Sequence, residues 1–508
     1  MRPTIRPALG LAGVLPGIAF LVLAGCAGPS GRPADERLPA SGGQPAASDA
    51  ARPAADLAAA GLSEAEAAFL DTLQMRTFRF FAERAHPQTG IMPDRWPTRS
   101  FASVAATGFA LTAYPIGAEH GWISREEACA RALRTLRFFR DAPQDSSVAG
   151  ATGFHGFYYH FLDLDTGRRF RDVELSTVDT ALLLAGALFC QSYFDRGGAE
   201  DSLRALVDSL YARVDWRWAQ VRPPTIGHGW SPEEGHLPYD WRGYNEAMLV
   251  YLLALGAPRG AVEPAAWPAW TEAYRWGEFQ GQEHLGFGPL FGHQYTHVWV
   301  DFRGIRDAYM REKGIDYFEN ARRATLAQHA YAVENPGGWT GYGPEFWGLT
   351  ACDGPAEVAL EIDGRRRQFH TYWARGASFT AIDDDGTVAP TAAAGSLPFA
   401  PELVVPTLLH LRRTYGEHIF STYGFLDALN PTFRPGPEVA VQHGKVVPGL
   451  GWFDTDYLGI DQGPILAMIE NYRTGLVWKT MRRNPHLVRS LRAAGFTGGW
   501  LDSLEVER

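Results

Sequence analysis

Acidic residues stand at the start of three apolar stretches that lie far apart in the chain. Ser176-Thr177-Val178-Asp179 precedes Thr180-Ala181-Leu182-Leu183-Leu184, and Tyr244-Asn245-Glu246 precedes Ala247-Met248-Leu249-Val250. Asp454, Asp456 and Asp461 precede Gln462-Gly463-Pro464-Ile465-Leu466, with Pro464 in a first turn that tolerates proline. Two carboxyl groups facing one another can hydrolyse a glycosidic bond. One protonates the leaving oxygen; the other activates water at a separation of about 6.5–9.5 Å, or attacks directly at about 5 Å. These residue types fit either outcome. Acids at helix starts also cap amides and complement the dipole, and Asp179 follows Ser176 at a capping-box spacing. A helix start favours the ionised form, which suits a base. A general acid there needs burial or a neighbouring carboxylate to raise its pKa.

Elements that could gather these acids are legible as two alternating sets of helices. Residues 63–84, 124–140, 200–217, 267–278, 314–334 and 416–428 have charged faces, as outer helices do. Residues 103–118, 177–194, 244–256, 296–311, 402–414 and 462–477 are nearly apolar and rich in small side chains, as buried helices are. Ser63 with Glu66 and Ser124 with Glu127 have capping-box spacing at two starts. Six outer and six inner segments predict an all-α (α/α)6 toroid. Its inner helices run parallel and bring their N-terminal ends to one rim. Residues 335–400 break the alternation. They carry Gly-Gly-Trp-Thr-Gly-Tyr-Gly around Trp339 and Tyr342, then Val358–Ile362 ahead of Asp363-Gly364, a strand entering a hairpin turn. A long aromatic loop in a compact domain is a functional candidate, so Trp339 and Tyr342 are expected at a sugar.

Other patterns are weaker. His155, His293 and His297 with Asp301 lack metal-site spacing, and aromatic neighbours place His155 in a sugar cleft or in core. Asp383-Asp384-Asp385-Gly386 has no calcium-loop continuation and reads as a turn. No GxSxG, P-loop or dinucleotide fingerprint occurs. A net charge of −10 argues against a nucleic-acid groove. No metal or other cofactor is expected, and the protein is expected to be a monomer.

At the amino terminus, Arg2 and Arg6 precede an apolar stretch, Ala8 to Ala24, that ends in Leu23-Ala24-Gly25-Cys26. This is an export signal, and its ending resembles a bacterial lipobox. Residues 1–26 are therefore expected to be a lipoprotein signal and Cys26 to carry the lipid, at the periplasmic side of the outer membrane. Residues 27–62 read as an Ala/Pro/Gly tether and 63–503 as the catalytic domain. Cys129, Cys190 and Cys352 are too few and too scattered for a disulfide framework and are expected as buried thiols.

The chain resembles the bacterial glucoamylase-like proteins grouped with glycoside hydrolase family 144, the endo-β-1,2-glucanases. The strings that carry the resemblance span Phe69 to Trp500. They include Arg79-Phe80-Phe81, Glu174-Leu175-Ser176-Thr177-Val178-Asp179, Tyr244-Asn245-Glu246, Trp347-Gly348-Leu349-Thr350-Ala351-Cys352-Asp353-Gly354-Pro355, and Gly459-Ile460-Asp461-Gln462-Gly463-Pro464. Cys352 stands where the family carries serine. The resemblance implies an (α/α)6 fold and inverting hydrolysis of a β-1,2-glucan. It makes Glu246 the general acid and Asp461 the base, with Asp456 and Asp454 as its substitutes. It also makes Glu174, Asp179 and Tyr244 substrate-binding residues. Transfer, exo action, and a surface glycan-binding protein without catalysis are the alternatives it leaves open.

Overall fold

The computed structural model describes residues 61–504; the export signal, Cys26 and nearly all of the tether lie outside them. Twelve helices of the described residues make the ring. The outer ones are α1 (Glu64–Arg84), α3 (Arg125–Asp141), α5 (Ala199–Arg213), α7 (Ala266–Thr271), α9 (Tyr317–Glu334) and α11 (Pro401–Tyr415). The inner ones are α2 (Val104–Glu119), α4 (Thr177–Tyr193), α6 (Met248–Gly256), α8 (Tyr295–Trp299), α10 (Pro390–Ala394) and α12 (Gly459–Arg473). α2 packs on α4 and on α12, so the last inner helix closes the ring against the first. Six outer and six inner helices make the fold an (α/α)6 toroid.

The inner helices approach closely because small residues face one another. A Cβ on Gly108 of α2 would stand 2.3 Å from the Leu182 carbonyl oxygen, and one on Gly186 of α4 would stand 2.0 Å from that of Gly108. These are backbone contacts that no side-chain rotation relieves. Gly186→Ala is therefore expected to cost about 1–3 kcal/mol through forced separation of α2 and α4. Urea denaturation would measure it, and an unchanged midpoint would contradict the tight packing.

Several sequence-based boundaries need correction. The outer helix expected over 267–278 ends at Thr271, and Trp276–Phe279 is a strand paired with Gln282–Leu285. The inner helix expected over 296–311 stops at Trp299, with a separate short helix at Ala308–Lys313. Residues 402–414 are the outer helix α11, not an inner one. The short inner helix α10 lies within the segment read as insertion, while 416–428 is a 3-10 turn and a hairpin. The reason is amphipathicity: Glu402, Arg412 and Arg413 give α11 a charged face, whereas α10 is five small residues, too short to show a period. Where the fourth outer helix is short, Pro485–Ala493 packs against α6 instead.

Elsewhere the local chemistry matches the reading. Ser63 and Glu66 form the capping box at α1. Val358–Ile362 pairs with Arg365–Phe369 across Asp363 and Gly364, whose φ values of 51° and 71° are those of a two-residue hairpin turn. Cys129, Cys190 and Cys352 are buried free thiols. Among the described residues no helix is long and apolar enough to cross a membrane.

Candidate active site

The rim at the N-terminal ends of the inner helices carries a closed circuit of interacting charges. Asp179 lies in the first turn of α4, where its amide is capped by Ser176 Oγ at 3.2 Å. Its carboxylate accepts from the same hydroxyl and lies 3.6 Å from His160 Nε2. His160 Nδ1 meets Glu174 at 2.8 Å. Burial alone would lower the His160 pKa, but Asp179 and Glu174 outweigh it and raise it to about 9, so the imidazole is charged at neutral pH. Burial likewise opposes ionisation of Glu174, yet the His160 charge and hydrogen bond hold its pKa below the ordinary value.

His160 also feels Asp94, which neighbours Arg95. Arg95 Nη1 donates to Asp353 Oδ2 at 2.6 Å and its Nε to Asp94 Oδ2 at 3.2 Å. The short strand Arg95–Trp96 pairs with Tyr457–Leu458, and the Gly459 amide donates to the Asp94 carbonyl at 2.7 Å. The backbone thus fastens Asp94 and Arg95 to the start of α12, two residues before Asp461. The Asp353 amide donates to Asp427 Oδ2 at 2.7 Å, and Asp427 hydrogen bonds with Asp461. Tyr295, the first residue of α8, lies within the electrostatic reach of both Asp461 and Glu246. Glu246 in turn feels Asp179, and the circuit closes.

Two members are tuned near neutrality. Glu246 sits in the turn before α6, is 7% exposed, and has an Oε2 with no hydrogen-bond partner from the protein. Burial, with the Asp179 charge adding to it, raises its pKa to about 7. The burial that a general acid at a helix start requires is therefore present. Burial also raises Asp461 to about 7. Asp353 and Asp94 push in the same direction, while a hydrogen bond from Asp427 and the Arg95 charge oppose them. Asp427 is raised far above the ordinary range by burial and by Asp461 and Asp353. The two share a proton, and Asp427, the more strongly raised, keeps it to higher pH than Asp461 does.

This arrangement predicts a bell-shaped pH profile of kcat/KM with both limbs near pH 7, rising as Asp461 ionises and falling as Glu246 does. Asp427→Ala removes the donor to Asp461 and is expected to move the acid limb up by about one pH unit. Asp427→Asn keeps an N–H donor and is expected to leave the limb in place. Steady-state rates between pH 5 and 9 would decide.

The remaining expected site residues divide. Asp456 Oδ1 accepts from the Thr98 amide at 2.9 Å, and Asp454 Oδ1 accepts from the Thr455 and Asp456 amides at 2.6 and 3.2 Å. Both belong to the acidic wall but are engaged in shaping its loop. Tyr244 is wall packing beside Glu246, parallel to Tyr317 at 6.1 Å and tilted on His293 at 4.9 Å. His155 stacks on Trp218 at 4.4 Å and pairs with Asp215 at 3.4 Å, and none of its contacts is with the circuit. Trp339 and Tyr342 lie in the inserted segment, where Tyr342 donates to Asp384 at 2.7 Å. Asp301 is held by Arg303 and Arg482, so the histidine–Asp301 set gathers no metal site. Among the described residues the one acid, histidine or cysteine group close enough to grip a cation is Asp353, Asp427 and Asp454, with ligand oxygens within 4.8 Å of one another. Arg95 already supplies a positive charge to it.

Sequence reasoning missed Asp94, Arg95, His160 and Asp427. Asp353 lies inside a quoted motif, but no role was assigned to it. Asp94 and Arg95 precede no apolar helix, and Asp427 lies in the stretch misread as helix, so periodicity carried no signal for them.

Residues 238–485 match a family model described as "Putative glucoamylase". An exo β-1,2-glucooligosaccharide sophorohydrolase (non-reducing end) of Parabacteroides distasonis is 29% identical over 458 residues; the match takes in 83% of this chain and 57% of that protein's length. A solved endo-β-1,2-glucanase of Chitinophaga pinensis superposes with a TM-score of 0.72 at 27% identity, over 86% of this chain and all of that one. A solved "putative glucoamylase" of Bacteroides caccae superposes with a TM-score of 0.72 at 31% identity, over 85% of this chain and all of that one. With full-length coverage at that identity, the chain belongs to the glucoamylase-like family whose motifs it carries.

Proposed function

We propose that the protein is a glycoside hydrolase that cleaves β-1,2-glucan internally, with inversion, using Glu246 as general acid and Asp461 as general base. The observation that carries this reading is that Glu246 and Asp461, 215 positions apart, are both buried, both raised to about 7, and both close enough to act on the one Tyr295 hydroxyl. Unpartnered buried oxygens on Glu246, Asp353, Asp454 and Asp456 offer acceptors for a hydroxyl-rich ligand, and a sugar supplies the donors. Two of the relatives named above carry β-1,2-glucan activities in their names, one an exo sophorohydrolase and one an endo-glucanase. Asp461 takes the proton of the attacking water while Glu246 protonates the leaving oxygen. The ionised Glu174 and the charged His160 orient hydroxyl groups beside Asp179.

The reading includes export. Residues 1–26 act as a lipoprotein signal, Cys26 carries the lipid, and residues 27–62 hold the catalytic domain away from the outer membrane as a monomer. Its basis is the lipobox-like Leu23-Ala24-Gly25-Cys26.

Protein lacking residues 1–26, incubated with linear β-1,2-glucan, is expected to release short oligosaccharides whose newly formed reducing ends are initially α-anomers by NMR. Release of disaccharide alone from the first time points would replace endo by exo action, and a β-anomer would replace inversion by retention. No cleavage of this glucan within a linkage panel would end the substrate assignment.

A further inference from the structure

We propose that the inserted segment carries a second carbohydrate site that recognises an anionic substituent, a phosphate or carboxylate ester, on the glucan chain being cleaved. The inference rests on the hydrolase reading and extends it to a charged class of substrate.

A cavity of about 390 Å³ opens between the hairpin Val358–Phe369 and the strand Ala381–Asp383. Arg365, Arg366 and Arg367 follow one another on its wall. Arg365 Nη1 and Arg367 Nη1 both donate to the Gly337 carbonyl at 3.0 Å, so two like charges converge on one neutral acceptor. Arg367 lies 4.2 Å above the Trp339 ring, is 6% exposed, and has a buried Nε without a partner. Arg366 is exposed, with neither a hydrogen bond nor an ion pair among the described residues.

The cavity's carboxylates do not neutralise this cluster. Asp385 is bound twice by Arg375, at 2.7 and 2.8 Å, and Asp384 accepts from the Tyr331 and Tyr342 hydroxyls at 2.9 and 2.7 Å. Asp383 is the cavity's remaining carboxylate; Asp363 and Asp384 act on Arg367 only at a distance, and Glu361 stands directly across the hairpin from Arg366. Planar guanidinium groups without carboxylate partners complement an oxyanion. Beside them Trp373 and Ile382 are 39% and 52% exposed, an apolar surface on which a sugar ring can lie.

Placement ties the cavity to the acid circuit. Tyr372 lies in the field of Asp461, Asp427, Asp94 and Asp353, while the next residue, Trp373, lines the cavity. Arg375, which also lines it, donates to the Cys352 carbonyl at 2.9 Å, directly before Asp353. Tyr372 with Trp373, and Cys352 with Arg375, thus link the cavity's wall to the acid circuit through neighbouring backbone.

The test is calorimetric titration of the Glu246→Gln protein with a β-1,2-gluco-oligosaccharide, with its succinylated and phosphorylated counterparts, and with inorganic phosphate. The charged oligosaccharides are expected to bind about tenfold more tightly than the neutral one, as one charge-assisted contact allows. Arg366→Glu, at an exposed position without partners, is expected to abolish that advantage and leave neutral binding unchanged. Equal affinities, or an advantage that survives in Arg366→Glu, would overturn the proposal. Inorganic phosphate binding as tightly as the charged sugars would overturn its carbohydrate part. If wild-type protein cleaves a different glucan of the panel but keeps the Arg366-dependent preference for charged chains, the linkage assignment falls and the second site stands.

Discussion

Glu246→Gln is expected to lower kcat on β-1,2-glucan by at least about a thousandfold, within the span that a positioned general acid contributes. The amide has the shape of the acid but no acidic proton to give, and the buried Oε2 has no partner in the protein. The same substitution should stabilise the fold in alkaline buffer. Folded Glu246 holds its proton up to about pH 7, against an ordinary value of 4.5. The folded state therefore loses stability as pH rises between those values, by at most about 3 kcal/mol. Gln removes that loss, so the variant should melt higher than wild type at pH 8 and alike at pH 4. Unimpaired hydrolysis would remove Glu246 from the mechanism, and a lower melting temperature at pH 8 would contradict its burial as an unpaired acid.

Asp461→Asn should be nearly as damaging, with kcat reduced by about a hundred- to ten-thousandfold. Among the carboxylates of this wall, Asp456 is held by the Thr98 amide, Asp454 by two loop amides and Asp427 by its own proton. Asp461 is left at the start of an inner helix as the acid of this wall that ionises near pH 7. Asp454→Asn and Asp456→Asn should cost less and act partly through stability, because the Asn side-chain oxygen still accepts from the same backbone amides. If Asp461→Asn keeps wild-type turnover while Asp456→Asn loses it, the base is Asp456.

How far the sequence could be read depended on the length of the signal. Long inner helices such as α2 and α4 are apolar throughout and were legible, as were capped starts such as Ser63. The five-residue helices α8 and α10 were not, because fewer than two turns cannot display a 3.6-residue period. The same contrast holds at the site. Glu246, Asp179 and Asp461 stand next to helices, so position alone singled them out. Asp427, Asp94 and Arg95 sit on short strands and loops, and only tertiary pairing gives them meaning. His155 was singled out for its aromatic surroundings, and its ring stacks on Trp218, 63 positions further along the chain.

The pairing of Arg95–Trp96 with Tyr457–Leu458 has a consequence for how the protein comes to life. The first and last pieces of the ring must meet before the charge circuit exists, so a ribosome has to finish nearly the whole polypeptide before any catalytic competence appears. Fragments that end before residue 457 should be inert whatever helices they have formed, and the onset of activity during refolding should report the moment the ring locks shut.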